Sequence, residues 1–300
     1  MMENKKGSLL IGTLWLVVVL GVISTSLLFN AGSLLQLMER RLERYELKMD
    51  FMTILNWKTN QILTDSRPYE DSKNASWYGE ETIRTPNDKS YRVVLTDEES
   101  RLNLNYMEQH QLKTFLAIWQ QYTGNLIGKE DDFVTAVTAH EKPFLSYEEL
   151  YLEEDVFGED LEALRDSVTV YTATMQLNIN TVSMMTLEAI LEALNVDDFA
   201  KNDFLEAMQE MRRNQAAGNN VYAFGEEDLY PRTIREKLDM DATPQNINLF
   251  SRLIPLLKVD SSNYRMHVFE RQQLLLECIF SIDAVTEEIS IRTWYEPQAA

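Results

Sequence analysis

A chain of 300 residues with 45% hydrophobic and 10% aromatic content can build a packed core, which excludes wholesale disorder. Its formal charge of −20, from 28 basic and 48 acidic side chains, repels nucleic acid and anionic lipid headgroups and suits cations or basic partners. Cys278 is the only cysteine, so no internal disulfide forms and stability has to come from packing or from a metal ion.

In chain order, Lys5-Lys6-Gly7-Ser8 opens a run without charge that lasts until Glu39. As a helix, residues 8–38 exceed the roughly 20 residues that span a hydrocarbon core, and residues 9–29 are the most apolar part. A secretory signal peptide has a shorter apolar region, of about 7–15 residues, ending in small residues, which Phe29-Asn30-Ala31-Gly32 matches poorly. Lys5 and Lys6 favour a cytoplasmic N-terminus, although Arg40, Arg41 and Arg44 follow the span and weaken the asymmetry. The plain reading is a signal anchor with the rest of the chain outside.

Beyond the span, Leu42, Tyr45, Met49, Met52 and Leu55 recur at spacings of three or four, with Arg40, Arg41, Glu43, Arg44, Glu46 and Lys48 between them. One helix is therefore predicted over residues 8–63, ended by Arg67-Pro68 and a polar stretch. Residues 90–96 read as a strand after Pro86-Asn87-Asp88. Asp97-Glu98-Glu99-Ser100 reads as a turn, and Arg101-Leu102-Asn103-Leu104-Asn105 alternates. The expectation is a hairpin with a solvated acidic tip.

From residue 108 to 257 the pattern turns helical, with helices predicted at 112–122, 131–140, 146–152, 161–166, 186–194 and 199–214. Thr181 or Ser183 is positioned to cap the fifth of these. The segment 222–229 echoes Pro143-Phe144-Leu145-Ser146-Tyr147-Glu148-Glu149-Leu150. Residues 264–270, 273–282 and 289–295 then read as three strands of an antiparallel meander. The fold class is α+β: a long N-terminal transmembrane helix, then an antiparallel sheet interrupted by an inserted all-α subdomain. The expected division is 1–7, 8–66, 67–107, 108–257 and 258–300.

No catalytic set emerges. His110, His140 and His267 are isolated, without metal-ligand spacing, and there is neither a Gly-rich phosphate loop nor a Gly-x-Ser-x-Gly elbow. The acidic triplets, Glu130-Asp131-Asp132 among them, lack EF-hand spacing and read first as solvated faces. A DNA-binding helix-hairpin-helix would need glycines and basic neighbours, whereas Glu153-Glu154-Asp155-Val156-Phe157-Gly158 offers carboxylates.

Taken together, four elements in order resemble the K-type minor pseudopilin of type II secretion systems, the general secretion pathway protein K family. They are the Lys5-Lys6-Gly7-Ser8 leader, the 96–105 segment, Phe144-Leu145-Ser146-Tyr147-Glu148-Glu149-Leu150, and Leu177-Asn178-Ile179-Asn180-Thr181 with its following helix. The stretch from Val259 to Met266 also fits. The resemblance implies cleavage by prepilin peptidase between Gly7 and Ser8. It also implies an inner-membrane, single-pass anchor with the C-terminal domain in the periplasm, and partners among the I- and J-type minor pseudopilins at the tip of a short fibre that exports folded proteins. The usual pilin glutamate at the fifth mature position is replaced by Gly12, which agrees with a tip subunit that has no predecessor to pair with. The family can bind calcium through carboxylates of its helical insertion, for which Glu130, Asp131 and Asp132 are the candidates. The alternatives are a minor pilin of a type IV pilus-like machine and a membrane-anchored enzyme with no recognisable catalytic motif.

Overall fold

The computed structural model describes residues 4–65, 75, 77–124, 129–140, 143–152, 163–217, 223–283 and 285–296. Helix α1 (Asn4–Leu63) runs for 60 residues without a break and starts four residues before the expected Ser8. No proline interrupts it, and the hydroxyls of Thr25, Ser33, Thr53 and Thr64 bond back to carbonyls one turn earlier, so they need no water. Its apolar side chains from Leu14 to Met38 are exposed, and it is long and apolar enough to cross a membrane. The helix up to Leu55, together with Thr85–Lys89, makes one compact unit, and Asn56–Arg84 with Ser90 onward makes a second.

The second unit holds a five-stranded sheet in the order β1-β2-β7-β8-β9, antiparallel at every step. The strands are β1 (Gly79–Arg84), β2 (Ser90–Asp97), β7 (Asn263–Glu270), β8 (Gln273–Ile282) and β9 (Ile289–Tyr295). The last three are the predicted meander. The expected hairpin at 90–105 does not form. β2 pairs instead with β1, across a turn in which Asp88 takes a φ of 66°, and on its other side with β7. β1 escaped notice because Gly-Glu-Glu-Thr-Ile-Arg carries only Thr82 and Ile83 as strand signals. Glu98–Ser100 is a 3-10 turn, and β3 (Leu102–Asn103) leaves the sheet to pair in parallel with β4 (Val168–Thr169).

Because β2 and β7 are sheet neighbours, the chain between them departs from and returns to adjacent strand ends. This excursion has its own interior: every buried residue of its apolar cluster lies between Leu102 and Val259. The helices are α2 (Gln109–Thr123), α3 (Glu130–Ala139), α4 (Met184–Ala193), α5 (Asp198–Ala216), α6 (Pro231–Lys237) and α7 (Pro244–Leu253). Four match predicted helices. Residues 147–152 form a 3-10 helix rather than an α-helix, and the described part of 161–166 is helical only at 163–164 before a turn. α6 and α7 were not predicted, although each begins with proline at a first-turn position where its missing N–H costs nothing. Of the two cap candidates, Ser183 accepts the Thr186 N–H at the start of α4, while Thr181 is engaged elsewhere.

The helical region contains one device twice. Asn105 and the Phe144 backbone exchange two hydrogen bonds, of 2.7 and 3.0 Å. Asn180 and the Phe224 backbone do the same, at 2.7 and 2.9 Å. Two residues upstream, Asn103 and Asn178 each accept the N–H of Asn105 or Asn180. Asn103 lies in β3, which pairs with β4, and Asn178 lies in β5 (Leu177–Asn178), which pairs in parallel with β6 (Leu257–Lys258). The echo between 143–150 and 222–229 is therefore a repeated unit: an Asn-x-Asn strand end, two helices, and a phenylalanine turn tied back to the second asparagine. Replacing Asn180 strands the buried Phe224 N–H and carbonyl. Asn180→Ala is expected to lower unfolding free energy by about 2–4 kcal/mol in chemical denaturation of the detergent-solubilised chain, against under about 1 kcal/mol for an exposed asparagine such as Asn248.

Candidate functional site

Gly7 and Ser8 lie within helix α1. At Gly12 a Cβ would meet nothing within 4 Å. The lack of a side chain there is therefore not imposed by packing within this chain.

The densest chemistry of the second unit is where β2 ends. Asp97, Glu98 and Glu99, expected at a solvated tip, are buried, Asp97 and Glu98 at 0% exposure. Burying three successive carboxylates costs several kcal/mol each unless each finds a partner, and each does.

Glu98 meets Arg265 of β7 in a two-pronged pair, Nε to Oε2 at 2.9 Å and Nη2 to Oε1 at 2.7 Å. Arg101 adds a third bond to Glu98 Oε2 at 2.8 Å. Burial pushes the Glu98 carboxyl up, but the two guanidinium groups outweigh it and hold the group below its ordinary range. Arg265 donates its remaining prong to the Arg165 carbonyl at 3.1 Å, and Arg101 donates to the Asp166 carbonyl at 3.2 Å. Both arginines thereby bind the turn that leads into β4. Glu277 of β8 accepts from Arg165 at 2.8 Å and faces His267 at 3.4 Å. Burial opposes its charge, and His267, Arg265 and Arg165 together keep it ionised below the usual carboxylate range.

Glu99 reaches the opposite way, toward the link between β6 and β7. It accepts from the Ser262 N–H and hydroxyl, from Asn263 Nδ2 at 2.8 Å, and from Lys258 Nζ at 2.7 Å. Asp97 accepts from its own Glu99 N–H at 2.8 Å, from Asn178 Nδ2 at 2.9 Å and from the Thr181 hydroxyl at 2.5 Å. No cation pairs directly with Asp97 among these contacts. Burial and the neighbouring Glu99 charge win over the donors, and the Asp97 carboxyl is pushed up to about 6. The three acids thus tie β2 to both repeated units and to the return strand.

The turn at Asp-Glu-Glu-Ser is present, but it is buried rather than solvated, because a turn pattern carries no information about what packs against it. The available signals lay elsewhere. Arg265 falls between apolar residues in β7, and Glu277 interrupts the apolar run of β8, so a buried partner was implied for each.

Glu130, Asp131 and Asp132 occupy the first turn of α3, where successive side chains point about 100° apart. Asp131 is exposed and bonded to Lys113 Nζ at 2.7 Å. Among the described residues no group of three or more His, Cys, Asp or Glu side chains is gathered as a metal site. His140 stacks on Phe144 at 4.2 Å and faces Glu149, so its surroundings are structural.

The raised Asp97 pKa has a signed consequence. Between 3.8, its ordinary value, and about 6 the folded chain holds a proton that the unfolded chain has released, so Asp97 makes stability fall as pH rises through that window. Glu98 and Glu277, with lowered values, contribute the opposite slope. Thermal unfolding of Asp97→Asn between pH 4 and 6 should therefore show a midpoint that rises more steeply with pH than the parent's. Parallel slopes would contradict the assignment.

No family model matches this sequence, and no curated protein matches it. The structure is similar to one chain of the crystal structure of the GspK-GspI-GspJ complex from the enterotoxigenic Escherichia coli Type 2 Secretion System. The two share 12% identity and a TM-score of 0.54, over 87% of this chain and 100% of that one. At that identity the likeness is one of fold, and this chain's own fold, mixed α+β with a long apolar N-terminal helix and an antiparallel sheet, is of the pseudopilin-like kind that the sequence resemblance implied.

Proposed function

We propose that this chain is a K-type minor pseudopilin of a type II secretion system, placed at the tip of the pseudopilus and acting in fibre initiation and in the export of folded proteins. The observation that carries the reading is the likeness of fold along the whole of one chain from a complex of three such proteins, GspK, GspI and GspJ. Three features of the chain support it. The apolar part of α1 fits a single-pass anchor. Gly12 stands where a fibre subunit usually carries a glutamate, although a side chain there would meet no obstacle within the chain. The buried carboxylates of the second unit are committed to arginine, lysine and amide partners that hold the fold together, which suits an assembly component rather than a catalyst.

In this reading a prepilin peptidase cuts between Gly7 and Ser8 on the cytoplasmic face of the inner membrane, the second unit stands in the periplasm, and the partners are the I- and J-type minor pseudopilins. The acidic surface leaves nucleic acid out of account. Intact mass of the chain extracted from membranes, after co-expression with an active prepilin peptidase, should correspond to a start at Ser8, and Gly7→Val should retain the full length. A parent chain that still starts at Met1 under those conditions would contradict the proposal.

A further inference from the structure

Past its most apolar part, helix α1 carries a second pattern. Met38, Leu42, Tyr45 and Met49 follow one another at steps of four, three and four, the spacing of a coiled-coil seam. All four are between 48% and 63% exposed, so this chain does not cover the seam. The charges beside it are sorted by side. At about 100° per residue, Arg41 and Lys48 flank the seam on one side, and Glu39 and Glu46 flank it on the other. Neighbours one turn apart (Glu39 and Glu43, Arg40 and Arg44, Arg44 and Lys48) carry like charges, which destabilises an isolated helix. None of these charged side chains is paired among the described residues. The helix thus forgoes pairing within itself and offers one basic and one acidic edge to a helix alongside. The same spacing runs back through Leu35, Ala31, Leu28, Ser24 and Gly21, where small side chains let a second helix approach closely.

We infer that this seam is a parallel dimer contact with a second copy of the chain. Two copies inserted in one membrane with the same orientation lie parallel. In a parallel pair the side chains that flank the seam meet across it. Arg41 of one copy then faces Glu46 of the other, and the reverse pair closes at the same time. The contact is isologous, with the basic edge of each copy on the acidic edge of its mate. Another helix would have to reproduce both edges, whereas a second copy does so by symmetry. The chain's net charge of −20 does not oppose the contact locally, because residues 38–49 hold four bases and three acids. Exposed charges further apart than about 8 Å are largely screened at physiological salt. The dimer stands on helix α1 alone and does not depend on the function proposed above.

The test uses the full chain in membranes, with Cys278→Ala so that an introduced cysteine is the only thiol. Under mild oxidation, Leu42→Cys and Met49→Cys should form covalent dimers at least fivefold faster than Arg40→Cys, which lies on the opposite side of the helix. Arg41→Glu should lower the yield of the Leu42→Cys dimer at least fivefold, through repulsion from Glu46. Adding Glu46→Arg should restore it, because the reversed edges match again. In the chain that keeps Cys278, a photo-crosslinking residue in place of Tyr45 should give an adduct of twice the chain's mass. Equal rates at positions 40, 42 and 49 would overturn the dimer, as would a double reversal no better than the single one. An adduct of any other mass would assign the seam to a different protein and overturn it too. None of these failures touches the proposed function, whose own test is the mass of the processed chain.

Discussion

The buried pair between Glu98 and Arg265 is the contact on which the second unit depends. Arg265 sits opposite Thr96 in the β2–β7 register, so the guanidinium lies where the carboxylate of Glu98 arrives as the chain leaves the sheet. A charge removed from water is tolerated only with near-complete satisfaction, and the pair achieves it with two parallel bonds plus Arg101 and the Arg165 carbonyl. Apolar packing would accept many docking angles between a sheet and a helical region that has its own core. A two-pronged pair accepts few. The ionic junction therefore sets where the excursion begins, and Glu99, bonded to Ser262, Asn263 and Lys258, sets where it ends.

Asp97 is a different kind of component. It holds two strand ends together through Asn178 and Thr181, with no cation paired to it among the described residues, and it carries an electrostatic cost at neutral pH that Glu98, held below its ordinary range, does not. The duplicated asparagine device explains why this is tolerable. Asn103 and Asn178 stand at equivalent places in the two repeats, but only Asn178 reaches the acidic segment, while Asn103 bonds to Thr172. One repeat thus meets the sheet strands through Asp97, and the other through the arginine-bound turn at 165–166.

Much of this architecture was legible in the sequence. The meander showed because Tyr264, Met266 and Val268 alternate along a strand with its partners close behind, and α1 showed because nothing breaks it over 60 residues. The order of strand and helix patterns implied an α+β chain with a helical insertion, and the family resemblance added its pseudopilin-like kind. What escaped was whatever depended on a distant partner. β1 is a strand because β2 lies beside it, with few signals of its own. The 97–101 segment is buried because Arg265, more than 160 residues away, waits for it. α6 and α7 are short and owe their start to prolines at 231 and 244, which read in isolation as loop residues. Gly7, Ser8 and Gly12 remain sequence features whose meaning rests on the proposed function. The carboxylates at 130–132 showed as a cluster in sequence and stand in the first turn of α3.

A double-mutant cycle on Glu98→Gln and Arg265→Met, read by chemical denaturation of the detergent-solubilised chain, tests the role of the junction most directly. If the pair fixes the sheet to the helical region, each single change is strongly destabilising, by about 3–5 kcal/mol, and the double change recovers a coupling energy of about 2 kcal/mol or more. Additive losses, with a coupling below about 0.5 kcal/mol, would mean that the two charges act independently and that apolar packing alone holds the parts in register.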